Sequence, residues 1–168
     1  SGERRKVITG IPGKTGVDYT LDAKTGEFLW ATPTVLQTVI SNIDGATGKV
    51  TVNPEMLFTK RGDSRFVCPN ANGGKNYQAG AYSPQTNTMN TPRQNTCAEM
   101  TAALDKPSLD SLYGLNSKPV IATGTDKIGT IQAISAQTGA TVWKFEQRAG
   151  TGSVIATGGG LLFAGDAN

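Results

Sequence analysis

Ten residues, Leu21-Asp22-Ala23-Lys24-Thr25-Gly26-Glu27-Phe28-Leu29-Trp30, return 113 positions later as Ile134-Ser135-Ala136-Gln137-Thr138-Gly139-Ala140-Thr141-Val142-Trp143. Ala, Thr-Gly and Trp recur at the same offsets. Each copy predicts strand, tight turn, strand. An apolar run (Tyr19-Thr20-Leu21 or Ile131-Gln132-Ala133-Ile134) meets a Thr-Gly turn, and a second run follows through Phe28 and Trp30 or Val142 and Trp143. Gly26 and Gly139 supply the positive φ that such a turn requires. The Trp four residues after each Gly is large and rigid, suited to lie flat between neighbouring sheets, so Trp30 and Trp143 read as structural staples from one hairpin to the next. A unit of this kind needs neighbours.

Both copies have the same approach, Lys14-Thr15-Gly16 and Lys127-Ile128-Gly129, with the Gly five residues ahead of the repeat. Blades of four strands run to roughly 40–50 residues, so the separation accommodates about two blades with one long insertion. A degenerate copy lies between them at Ala81-Tyr82-Ser83-Pro84-Gln85-Thr86-Asn87-Thr88-Met89, with Asn87 in the Gly position. The expectation is an all-β repeat protein, a β-propeller segment. Residues 1–168 then form a single incomplete segment, with 61–113 a loop-rich insertion carrying Cys68 and Cys97. Without an initiator Met, and stopping just after the apolar run Leu161-Leu162-Phe163, the chain reads as part of something longer.

Composition narrows the partners. With 37% apolar and 17% charged residues the chain is globular. The net charge of +3 is scattered, with no basic run interleaved with aromatics, so nucleic acid is not an expected partner. No apolar stretch approaches the roughly 20 residues that span a bilayer, and Ser1-Gly2-Glu3-Arg4-Arg5-Lys6 is not a signal peptide. Along the chain, Lys6-Val7-Ile8-Thr9 and Val35–Ile40 read as strands, Asp44-Gly45-Ala46-Thr47-Gly48 as a plain turn, Ala102–Tyr113 as a helical turn, and Gly158-Gly159-Gly160 as a strand-linking turn.

The absence of His removes Ser-His-Asp and Cys-His catalysis, His-ligated zinc and His general bases together. Two Cys separated by 29 form neither a zinc site nor a CxxC motif. A structural disulfide is the preferred reading, with two buried free thiols the alternative; the disulfide implies a compartment outside the cytosol. Gly73-Gly74-Lys75-Asn76-Tyr77 lacks the spacing of a phosphate loop. It suits either close backbone approach to a planar ligand, with an amide and a ring beside it, or a tight turn whose Tyr covers the core. Asp22 and Asp44 read as turn residues, and Lys14 alone is ambiguous between a solvated lysine and a functional one.

Taken together these residues resemble the pyrroloquinoline quinone (PQQ)-dependent alcohol dehydrogenases, the quinoprotein methanol and ethanol dehydrogenases. These are eight-bladed propellers with tryptophan-docking motifs of the form A-x-D-x-x-T-G-x-x-x-W. Leu21 to Trp30 and Ile134 to Trp143 are similar to two such motifs, with no Ala before Asp22 and with Ser135 in place of Asp. The most specific part is Cys68-Pro69, Gly73-Gly74-Lys75-Asn76-Tyr77, Tyr82-Ser83-Pro84 and Asn95-Thr96-Cys97, and the likeness covers Lys6 to Asn168, about three of eight blades.

By this resemblance Lys14 falls where the family has an Arg or Lys at the reactive quinone carbonyls, assisting catalysis and binding cofactor. Asn76 matches a cofactor-contacting Asn, Tyr77 stands where many members have Trp, and Cys68 and Cys97 match a family disulfide. The resemblance further implies PQQ with Ca²⁺ or a lanthanide. The metal ligands and the catalytic Asp are expected upstream of Ser1, with no metal ligand in this chain. It implies oxidation of a primary or related alcohol to the aldehyde, cytochrome c as electron acceptor, the remaining propeller blades as partners, and a periplasmic location. The isolated fragment is expected to be inactive. The alternative is a non-enzymatic propeller scaffold resembling the outer-membrane assembly lipoproteins.

Overall fold

The computed structural model describes residues 4–11, 13–104 and 114–166. Its first sheet joins β1 (Val7–Ile11), β2 (Val17–Asp22) and β3 (Phe28–Pro33) in sequence order, all antiparallel. A four-stranded sheet joins β7 (Ala81–Ser83), β8 (Thr88–Gln94), β11 (Gly129–Ser135) and β12 (Thr141–Gln147). The two sheets are built on one plan. Val7 and Ile8 pair with Asp22 and Leu21, as Thr88 and Met89 pair with Ser135 and Ile134. The register slips between Thr20 and Leu21 in the first sheet and between Ala133 and Ile134 in the second, the same point of the repeat. Thus β1, β2 and β3 correspond to β8, β11 and β12, as blades of a propeller do.

What separates the copies is a third sheet. Strands β9 (Thr96–Ala102) and β10 (Leu115–Ile121) interrupt the second blade between β8 and β11, and pair with β6 (Ser64–Val67) in the order β10-β9-β6. The described part of the stretch 61–113, expected to be loop-rich, therefore carries four strands, two of which belong to the blade. Cys68, just past β6, is joined by a disulfide to Cys97 in β9, with Cα atoms 4.3 Å apart. Both sulfurs are buried against Ala122, while Val67, Ala98 and Met100 form a second small core under Val39, Met56 and Phe58. The Cys68–Pro69 peptide bond is cis. Strands β13 (Thr151–Ala156) and β14 (Leu162–Asp166) form a hairpin beyond the blade, joined through the expected Gly158–Gly160 turn. It attaches by the Val154 N–H, which donates to Ala79 O at 2.9 Å. The helical turn expected over Ala102–Tyr113 falls largely outside the described residues.

The turns explain themselves through hydrogen bonds. Asp22 Oδ1 accepts from the N–H of Lys24 and of Thr25 and from the Thr25 hydroxyl, and the Thr25 hydroxyl accepts from the Glu27 N–H. Asp44 does the same with Ala46, Thr47 and Lys49, joining β4 (Ile40–Ile43) to β5 (Val50–Val52). The segment read as a plain turn is thus a third copy of the Asp-x-x-Thr-Gly turn. Val35–Ile40 is not a strand: only Ile40 enters β4, and the segment before it crosses to the disulfide sheet, where Thr38 N–H donates to Cys68 O. Asn87 adopts φ +52°, the left-handed conformation expected of it, in the turn from β7 to β8.

Blades meet through the staples. A Cβ built on Gly139 would lie 2.5 Å from Cε3 of Trp30, so the indole rests directly on this glycine of the next copy. Beside it the Thr32 hydroxyl donates to Gly139 O at 2.8 Å. Phe28 uses Gly48 likewise, at 2.4 Å from the same imaginary methyl. Sandwiched between neighbours, β8 and β11 are buried along both faces, whereas β12 is exposed.

Candidate functional site

Lys14 lies in a 3₁₀ turn, Gly13–Thr15, that ends at Gly16 (φ +75°) and feeds β2. A second loop, residues 70–75, closes onto it. The loop is folded by Gly73 N–H donating to Asn70 O and Asn72 N–H to Asn70 Oδ1. The clamp itself is main chain: Gly74 N–H donates to Lys14 O at 3.2 Å and Lys75 N–H to Gly13 O at 2.9 Å. Lys14 Nζ reaches across to donate to Ala71 O at 3.1 Å. Contact is close enough to require glycine. A Cβ on Gly73 would meet Lys14 Cα at 2.5 Å, one on Gly74 would meet Val35 Cγ2 at 2.6 Å, and one on Gly13 would meet Lys75 Cβ at 2.4 Å. The glycine pair, read as suiting either close approach to a planar ligand or a tight turn, packs against the protein's own Lys14 turn and Val35.

Asn76 follows the clamp, half-buried, and its side-chain amide has no hydrogen bond to another described residue. Tyr77 is 87% exposed and covers no core, leaving its ring available. Lys14 and the loop that runs from Ala71 to Asn76, 57 or more residues apart in sequence, are therefore brought together. No group of three His, Cys, Asp or Glu side chains arranged for a metal occurs among the described residues. Lys14 and Asn76 thus place a cation and an unused amide on loops that the clamp holds together.

Sequence reasoning overlooked the charges beneath the clamp. Asp18 in β2 and Arg93 in β8 form an ion pair with both side chains fully buried. The bond runs from Nη2 to Oδ2, and Arg93 Nε, Arg93 Nη1 and Asp18 Oδ1 have no partner among the described residues. Lys75 packs its stem over Gly13 and faces a cleft of about 1370 Å³ between the blades, lined also by Thr9, Trp30, Tyr82, Met89 and Thr91. Burial lowers the Lys75 pKa, as does neighbouring Arg93, while Asp18 opposes them. Burial likewise lowers that of Arg93, against the pull of Asp18, though an arginine stays charged. The signal was a charge in each of two runs destined for buried strands; nothing in one sequence pairs them.

Fold and contacts thus define a β-propeller segment whose blades dock by Trp30 on Gly139. No family model matches the chain. It is 36% identical, over 99% of its length, to the dehydrogenase subunit of the quinone alcohol dehydrogenase of Acetobacter aceti. Among solved structures it superposes on a europium-containing methanol dehydrogenase with a TM-score of 0.79 at 25% identity, covering 95% of this chain and 31% of the other. It also superposes on the quinohemoprotein alcohol dehydrogenase ADHIIG of Pseudomonas putida HK5, with a TM-score of 0.80 at 25% identity, over 99% of this chain and 26% of that one. The chain is homologous along its length to a segment of the quinoprotein alcohol dehydrogenases, as its motifs imply. It spans about a quarter of the length of the curated relatives it matches, 24% of the Acetobacter subunit.

Proposed function

We propose that this chain is the part of a PQQ-dependent alcohol dehydrogenase that carries the cation at the quinone carbonyls. The observation that supports it most is the clamp, which fixes Lys14 by its backbone in a chain matched end to end by dehydrogenase subunits. PQQ, when bound, supplies the two-electron acceptor for the hydride leaving the alcohol carbon. Lys14 Nζ would hydrogen-bond the quinone oxygens and stabilise the negative charge that develops there. Asn76 would donate its amide to the same ligand, and Tyr77 would pack on it. The hydroxyl proton would pass to a carboxylate outside this chain, and Ca²⁺ or a lanthanide would take its ligands there too. The substrate is a primary or related alcohol, the product its aldehyde, and the electron acceptor a cytochrome c.

The buried disulfide favours an oxidising compartment, here the periplasm. No helix among the described residues is long and apolar enough to cross a membrane. The isolated chain is expected to show no turnover. The scaffold alternative is not favoured, because the curated relatives are oxidising enzymes, most of them dehydrogenases. In the full-length protein, Lys14→Ala is expected to lower kcat on the order of 10²-fold, the scale of a lost oxyanion donor. Unchanged kcat would refute the role of Lys14; absence of PQQ binding to the unmutated protein, followed by fluorescence titration, would refute the enzyme reading as a whole.

A further inference from the structure

Asp18 and Arg93 are poorly arranged to stabilise the fold. A buried pair must offset the desolvation of both charges, and it does so only when the remaining donors and acceptors are also satisfied. Here a single bond joins them, and two guanidinium nitrogens and one carboxylate oxygen are left without partners among the described residues. Their location suggests another role. Asp18 lies four residues beyond Lys14 on β2; Arg93 directly precedes Gln94, whose N–H donates to Gly74 O at 2.8 Å. The pair therefore ties the root of one half of the clamp to the root of the other, across the boundary between two blades. It also sets the local charge. Arg93 repels Lys75 and Asp18 attracts it, so Asp18 compensates Arg93 while two lysines, Lys14 and Lys75, project from the loops above. Without Asp18, three cations would crowd one another. Without Arg93, Asp18 would be free to draw Lys75 inward.

We propose that Asp18 and Arg93 are positioning residues: a buried, nearly neutral tie that holds the Gly13–Gly16 turn against the 73–75 loop and so fixes where the Lys14 ammonium points. This rests on the reading of Lys14 given above. The test uses the full-length protein carrying Asp18→Leu with Arg93→Met, an apolar replacement of the kind that buried pairs tolerate. We expect kcat to fall on the order of tenfold through misplacement of Lys14, with the alcohol KM held within about twofold. In a Lys14→Ala background the same double substitution is expected to cause no further fall. Before quinone is added, amide hydrogen exchange across 13–16 and 73–75 should accelerate about tenfold while the thermal midpoint is kept. Equal losses in both backgrounds, or unchanged kcat and exchange, would overturn the proposal. If the double variant does not fold, Arg93→Lys enters the same cycle, with a loss that again depends on Lys14 expected and an unchanged kcat counting against the tie. Should Lys14→Ala alone leave kcat unaltered, the Lys14 reading fails, and the exchange measurement still decides whether the pair holds the clamp.

Discussion

A methyl group on Gly139 would strike the Trp30 ring, whereas one on Gly26, at the equivalent turn position of the first copy, would meet nothing within 4 Å. Both residues have positive φ, +74° and +76°, so the backbone cost of alanine is common to them, about 1–2 kcal/mol. Gly139→Ala should therefore cost more than Gly26→Ala by the energy of displacing the indole, about 1–3 kcal/mol, read from paired urea titrations. Equal costs would mean that Trp30 does not dock. Turn carboxylates give a second residue-level prediction. Backbone donors from Thr25 and Lys24 lower the Asp22 pKa below the ordinary 3.8. The Thr47 hydroxyl and backbone do so for Asp44, and the Thr59 backbone for Asp63. Because the folded pKa values are depressed, this contribution is complete above the unfolded carboxylate range and is lost as pH falls below it. Asp22→Asn with Asp44→Asn should flatten the acid limb of a plot of midpoint against pH, without changing its form above neutrality.

Among the elements, the disulfide ties β6 to β9 rather than closing a bare loop. Replacing Cys68 and Cys97 by Ala frees a sequence separation of 29 and should cost about 3–4 kcal/mol in the chain-entropy model, measurable by denaturant unfolding. The repeat hairpins were legible because turn chemistry is local: Thr-Gly, a capping Asp or Ser, and Trp at fixed spacing carry their own reason to turn. Even so, the Asp44–Gly48 copy escaped notice, since Phe28 docks on it from outside and no Trp follows it in sequence. Strand β9 and the start of β10 were not read as strands, because short polar and charged residues such as Glu99, Asn116 and Lys118 interrupt their apolar alternation. At the site, the Cys68–Cys97 pairing was legible from motif, and Lys14 and Asn76 were named from theirs. Asp18 and Arg93 were not, because a pairing across 75 residues has no local signature. Nor was the purpose of Gly73 and Gly74, which depends on what lies opposite them.

On the scale of the whole molecule, the two tryptophans stand in different situations. Trp30 rests on the second copy, while Trp143 is 40% exposed beside Val142 at 57% and Phe145 at 58%; Phe163 is 59% exposed on β14. Apolar residues this exposed on a strand mark a surface built to be covered. In the isolated chain, Trp30→Ala is expected to cost about 3 kcal/mol or more, and Trp143→Ala far less, by thermal or urea unfolding. In full-length protein, Trp143→Ala should cost a comparable amount to Trp30→Ala. Comparable costs in the isolated chain would show that β12 is already covered.

The Trp30 staple also bears on time. The Thr32–Gly139 bond beside it spans 107 residues. At the pace of ribosomal synthesis that is roughly 5–20 s during which the first blade has emerged and its indole has nothing to rest on. Through that interval β3 is a half-finished surface, open to chance partners. Completion of this part of the ring waits on the arrival of one glycine.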